Sequence, residues 1–93
     1  MLAYHITDRS YVKELLKEGF VGKRHSFTRK QDVKLYLAHP AFREFVRHPV
    51  VLEVEVPKGK IIKIVRDRLF EGKLAKEIIT RPFRPVHVRI IKR

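Results

Sequence analysis

The chain opens with strict alternation. Leu2, Tyr4 and Ile6 fall on one side of an extended segment, and His5 and Thr7 fall on the other. A strand over residues 2–7 is expected, and it sets an imidazole and a hydroxyl about 7 Å apart on one face. The period then becomes helical. Tyr11, Val12, Leu15 and Leu16 group on one face, with Lys13, Glu14, Lys17 and Glu18 on the other. Asp8 or Ser10 suits the N-cap, because either side chain can accept the unpaired N–H groups of a first helical turn. Gly19 suits a left-handed stop. Residues 20–28 read as short extended pieces around a turn at Gly22, Lys23 and Arg24, with 26–28 as a second short strand. Val33, Leu35, Tyr36, Leu37, Ala38, Phe42, Phe45 and Val46 suit helix across 29–46. His39-Pro40 divides that stretch into two short helices, with Pro40 in the first turn of the second.

The second half is β-rich. Val50, Leu52, Val54 and Val56 alternate with Glu53 and Glu55, so one face is apolar and the other reads as solvated. A turn is expected at 57–60 and a strand at 61–65. A loop with a helical turn is expected at 66–72, and two more strands at 74–80 and 86–91. The prolines at 82 and 85 keep the last two apart. The order predicts an α+β fold of small, mainly antiparallel sheets forming a cleft, with two to three short helices mostly in the N-terminal half.

The 93 residues allow a single domain spanning 1–93. The absence of cysteine excludes disulfides and thiolate chemistry. No apolar run approaches the roughly 18 residues of a membrane span, and no signal-peptide pattern opens the chain, so a cytoplasmic protein is expected. Asparagine is absent and Gln31 is the sole glutamine, while charged residues reach 34%, a combination that points to a thermophile. Against 10 acidic residues stand 22 basic ones. This imbalance suggests an anionic partner, a nucleic acid or a nucleotide. The five histidines lack metal-ligand spacing, so no metal is expected, and no phosphate-binding glycine loop is present.

Several segments, taken in order, resemble ADP-ribosyltransferase-like domains. Tyr4-His5-Ile6-Thr7 followed by a helix ending Leu16-Lys17-Glu18-Gly19-Phe20 is similar to the opening of that family. Ser26-Phe27-Thr28, the run from Val33 to Ala38, and Val50-Val51-Leu52-Glu53-Val54-Glu55-Val56-Pro57 are similar to its middle. Lys76-Glu77-Ile78-Ile79, then Pro82 and Pro85 before Val88-Arg89-Ile90, are similar to its last strands. The resemblance implies NAD as cofactor, held between two small sheets. It implies that His5 contacts a ribose with Thr7 beside it, and that Glu77 is the carboxylate facing an oxocarbenium-like transition state. Tyr36 and the pair Ser26 and Thr28 are alternative fillers of the central motif. Arg9, Arg24 and Arg29, with Lys23, are the cations placed to meet the pyrophosphate.

The residues also allow plainer readings. His5 could be a strand histidine with one hydrogen bond, Glu77 a partner for a cross-strand lysine, and Tyr36 a core residue. A second functional reading is a non-catalytic basic nucleic-acid-binding module on the same type of fold. Its contacts would be Lys23, Arg24, Arg29, Lys30, Arg81, Arg84, Arg89, Lys92 and Arg93, with Phe83 available to stack on a base.

Overall fold

The computed structural model describes residues 1–70 and 73–92. Strand β1 (Leu2–Asp8) leads directly into helix α1 (Arg9–Glu18), and β2 (His25–Thr28) follows. A 3-10 turn at Lys30–Asp32 opens onto α2 (Val33–Ala38) and α3 (Pro40–Phe45). Then come β3 (Pro49–Glu55), a 3-10 turn at Lys58–Lys60, β4 (Ile61–Phe70), β5 (Lys73–Thr80) and β6 (Val88–Lys92). The fold is α+β, with its helices in the first half. The strands form one antiparallel six-stranded sheet in the order β4-β5-β2-β1-β3-β6.

The junctions follow local chemistry. Asp8 caps α1, its carboxylate accepting from the Ser10 N–H. Gly19 ends α1 at φ 81°, ψ −166°, a region essentially reserved for glycine. Its stop is therefore extended rather than left-handed helical. Pro40 sits in the first turn of α3, whose N-cap is His39; the His39 Nδ1 accepts from the Ala41 N–H.

Register decides what each face carries, because directly opposed residues point to the same side. His5 stands opposite Leu52, Ala3 opposite Val54 and Thr7 opposite Val50. This face carries the main core: Ala3, Leu52, Val54, Phe27 and Ile78, closed by Phe20 and Phe83, with Val12 and Leu15 of α1 packed on it. Tyr4 stands opposite Thr28, and Thr28 opposite Glu77. These residues share the other face, where Tyr4 and Val51 pack with Val33 of α2.

β1 and β3 register over seven positions, from Leu2↔Glu55 to Asp8↔Pro49, whereas β1 and β2 meet at Tyr4↔Thr28. The sheet is thus two three-stranded halves joined along a thin central seam.

Several expectations change. Residues 66–70, expected as a loop, continue β4 by pairing with β5 from Arg66↔Lys76 to Phe70↔Lys73. The remainder of that expected loop, at 71–72, lies outside the described residues. Tyr11 and Leu16, assigned to the apolar face of α1, are 58% and 50% exposed, so Val12 and Leu15 alone seat the helix. Glu53 is not part of a solvated face. Its carboxylate accepts from Tyr4 Oη at 3.2 Å, His87 Nε2 at 3.2 Å and Arg89 at 3.3 Å. The His87 hydrogen bond is the first of the contacts that hold its pKa below the ordinary value, against a smaller opposing push from burial.

Candidate functional site

The seam between β1 and β2 opens onto a hollow lined by Tyr4, His5, Ile6, Ser26, Phe27, Thr28, Tyr36, Phe42 and Glu77. Five residues nominated from the sequence border it: His5 from β1, Ser26 and Thr28 from β2, Tyr36 from α2 and Glu77 from β5. Tyr36 is nearly buried and packs edge-on against Phe42 at 6.1 Å, giving the hollow an aromatic wall. A carboxylate beside such a wall sits where a positive charge would be stabilised more than in water.

His5 lies in the seam itself. Its Nδ1–H donates to the Ser26 carbonyl oxygen at 2.7 Å, replacing with a side chain the backbone pairing that the seam lacks. A carbonyl only accepts, so Nδ1 carries the proton and Nε2 remains an acceptor. The ring meets Phe20 at 5.0 Å and Phe27 at 5.3 Å, both edge-on or tilted. This packing removes water from the imidazole and pulls its pKa down from 6.5 to about 4; the hydrogen bond to Ser26 opposes the shift and nearby His25 adds to it. At neutral pH His5 is an uncharged imidazole.

Thr7 is not beside Glu77. It shares with His5 a second hollow on the α1 face, lined also by Tyr11, Glu14, Glu18, Gly19, Lys23 and His25. His5 borders both hollows. By register, however, its side chain belongs to the Thr7 face and Glu77 to the opposite one, so the two meet only across the seam.

The cations separate likewise. Arg29 is tied down: its Nε donates to Asp32 at 2.6 Å and its Nη2 at 3.1 Å. Asp32 is 2% exposed and also accepts from the Lys76 N–H at 3.0 Å. Burial alone would raise the Asp32 pKa; the Arg29 and Lys76 hydrogen bonds outweigh it and hold the carboxyl below its ordinary value. Arg9 lines neither seam hollow but a groove beside α1. Arg89 is turned to Glu53. Lys30 is exposed on its 3-10 turn, Lys92 ends β6, and Arg93 lies outside the described residues. Lys23, Arg24, Arg81 and Arg84 form a different group. The antiparallel bridge Phe20↔Phe83 sets the Lys23–Arg24 loop alongside the segment carrying Arg81 and Arg84, and all four are exposed. Two basic stretches far apart in the chain thereby form one ridge.

Sequence patterns did not single out Asp32, Tyr4 or Phe42. Asp32 sits three residues after Arg29, a spacing that could have announced an ion pair. Among the described residues no group of three or more His, Cys, Asp or Glu could hold a metal ion. No described helix is long and apolar enough to cross a membrane. No protein-family model, curated protein or solved structure matches the chain.

Proposed function

We propose that this chain is a NAD-binding domain of ADP-ribosyltransferase-like type, working in the cytoplasm. The observation that supports this reading is the meeting of Ser26, Thr28, Tyr36 and Glu77, from three separate elements, in one hollow at the β1–β2 seam. The hollow has a volume of about 170 Å³. Whole small-molecule sites run to roughly 300–1,000 Å³. It therefore admits one ring or ribose of a dinucleotide, with the remainder along the surface. None of the three arginines nominated for the pyrophosphate borders this hollow: Arg29 is held by Asp32, Arg9 lines the groove beside α1, and Arg24 stands on the exposed loop before β2.

In the reaction, the glycosidic C1′–N bond of NAD breaks and nicotinamide leaves with the electron pair. The ribose gains oxocarbenium-like positive charge, which the Glu77 carboxylate stabilises. An acceptor nucleophile then bonds to C1′ and gives up its proton. With water as acceptor, the products are nicotinamide and ADP-ribose.

Calorimetric titration with NAD and chromatographic measurement of nicotinamide release test the proposal. Glu77→Gln should leave binding within about threefold and cut release by roughly 10²–10³, the usual cost of losing one preorganised electrostatic group. No binding at millimolar NAD, or undiminished release by the variant, refutes it.

The basic ridge favours a second reading, a nucleic-acid-binding module without catalysis. Affinity for a single-stranded oligonucleotide should then fall with salt, with a log–log slope of roughly −0.7 per phosphate contacted. Replacing Lys23, Arg24, Arg81 and Arg84 by glutamine should flatten that slope. An unchanged slope removes this reading and leaves the first untouched.

A further inference from the structure

The groove beside α1 has a volume of about 820 Å³, within the range of small-molecule sites. Its apolar lining is wholly aliphatic: Val12 and Leu16 from α1, Val50 from β3 and Ile90 from β6. Its polar lining is wholly basic: Arg9, Lys13, Arg47 and His48. Arg9 and His48 are adjacent, since the Arg9 N–H donates to the His48 carbonyl oxygen at 2.9 Å. The cations therefore gather where α1 begins, while Leu16, nearly two helical turns further along, marks the apolar end.

Three facts make this grouping costly unless an anion meets it. Arg9 and Lys13 are like charges at i,i+4, which repel on a helix surface. Arg9, Lys13 and Arg47 form no ion pair among the described residues. Asp8, the carboxylate that caps α1 at this end, is already taken: it accepts from the His48 N–H at 2.9 Å, the Ser10 N–H at 3.1 Å and Ser10 Oγ at 2.7 Å. The lining also contains no Phe, Tyr or Trp, so it offers no stacking platform for a nucleobase.

We infer that this groove binds a free fatty carboxylate, with its head between Arg9 and Arg47 and its alkyl chain along Val12, Leu16, Val50 and Ile90. The inference is independent of the seam hollow and of Glu77. A cationic mouth selects the anionic head, and an aliphatic trough selects the chain.

Titration with decanoate below its micellar concentration tests this, with amide chemical-shift mapping to locate the site. Binding should saturate at one site, with shifts confined to α1, β3 and β6. Each methylene added between hexanoate and decanoate should tighten it up to roughly fourfold if the chain is fully buried. The double change Arg9→Gln and Arg47→Gln should weaken decanoate roughly tenfold or more, as expected for loss of charge-assisted hydrogen bonds. Leu16→Gln should flatten the chain-length dependence; like the two arginines, Leu16 is exposed, so its replacement leaves the core intact. Any of four results overturns the inference: decanol binding as tightly as decanoate, Lys23→Gln with Arg84→Gln weakening binding equally, shifts spread over the basic surface, or association with anionic phospholipid vesicles without saturable decanoate binding.

Discussion

Acidification should destabilise this protein through His5, and the effect separates cleanly from the carboxylates. Burial holds the His5 pKa at about 4 in the folded chain, against 6.5 for a free histidine. Between those values the unfolded chain binds a proton that the folded chain refuses. Stability is therefore fully present above about pH 6.5 and is lost as pH falls towards 4. Integrating the linkage relation for one such group gives about 2 kcal/mol lost by about pH 5. The ring is packed between Phe20 and Phe27 but the residue as a whole is half-buried, so solvent screening brings this to about 1–2 kcal/mol. Asp8, Asp32 and Glu53 all have pKa values held below the ordinary carboxylate range, so their contributions are lost at lower pH. Glu14, Glu18, Lys23 and His25 line the same hollow as Thr7 and His5, and their charges would modulate the midpoint.

The assay is urea unfolding at a series of pH values for the wild type and His5→Gln. The glutamine amide can still donate to the Ser26 carbonyl but does not titrate. The wild type should lose about 1–2 kcal/mol more than the variant between pH 7 and 5. A histidine ring titration followed by NMR should place His5 well below 6. Parallel pH profiles for the two proteins, or a His5 midpoint near 6.5, would show that the ring is not desolvated by Phe20 and Phe27.

Three further outcomes follow from single side chains. Thr80 is fully buried and its Oγ1 has no partner among the described residues, so Thr80→Val should leave stability unchanged or raise it by about 1 kcal/mol in urea unfolding. Gly19→Ala should destabilise by about 1–3 kcal/mol in the same assay, because φ is +81° and the new Cβ would stand 3.2 Å from the Arg84 backbone. Asp8→Ala should lower the melting temperature at pH 7 and remove the part of the acid sensitivity between about pH 4 and 2, since the His48 and Ser10 contacts hold that carboxyl at about 2.

Most of the fold is legible in the sequence because its signals are local. The alternation at 2–7, the helical stripe ending at Gly19 and the Val-Leu-Val-Val face of β3 each report on their own element. What escapes is whatever depends on pairing across the sheet. The pattern at 66–70 is too charged to announce a strand, and only its register against β5 makes it one. The exposure of Tyr11 and Leu16 depends on how α1 sits on the sheet, which helical periodicity alone does not fix. The site is legible in the same uneven way. Glu77, Ser26, Thr28 and Tyr36 can each be picked out as candidates, but a two-residue period cannot say that His5 and Glu77 face opposite sides. That depends on β2 lying between β1 and β5.

The placement of Glu77 rests on a residue that carries none of the proposed chemistry. Asp32 sits at the start of α2 and is almost fully buried. It takes the Arg29 guanidinium from the end of β2 and the Lys76 N–H from β5. Thr28 Oγ1 donates to the Lys76 carbonyl oxygen at 2.8 Å. Both backbone groups of Lys76 are thereby fixed, one by Asp32 and the other by Thr28, and Glu77 is the next residue. The same carboxylate anchors the turn from which α2 carries Tyr36 over the sheet. Breaking a buried ion pair at one partner costs about 3–5 kcal/mol, and an amide that retains some hydrogen bonding should cost less. Asp32→Asn should therefore destabilise by about 2–3 kcal/mol and loosen Tyr36 and Glu77 together. Hydrogen exchange at the Lys76 and Glu77 amides would register that loss directly. Faster exchange there, with the β1–β3 amides unchanged, is the expected pattern. Uniform acceleration across the sheet would mean that Asp32 supports global stability and has no particular hold on the seam.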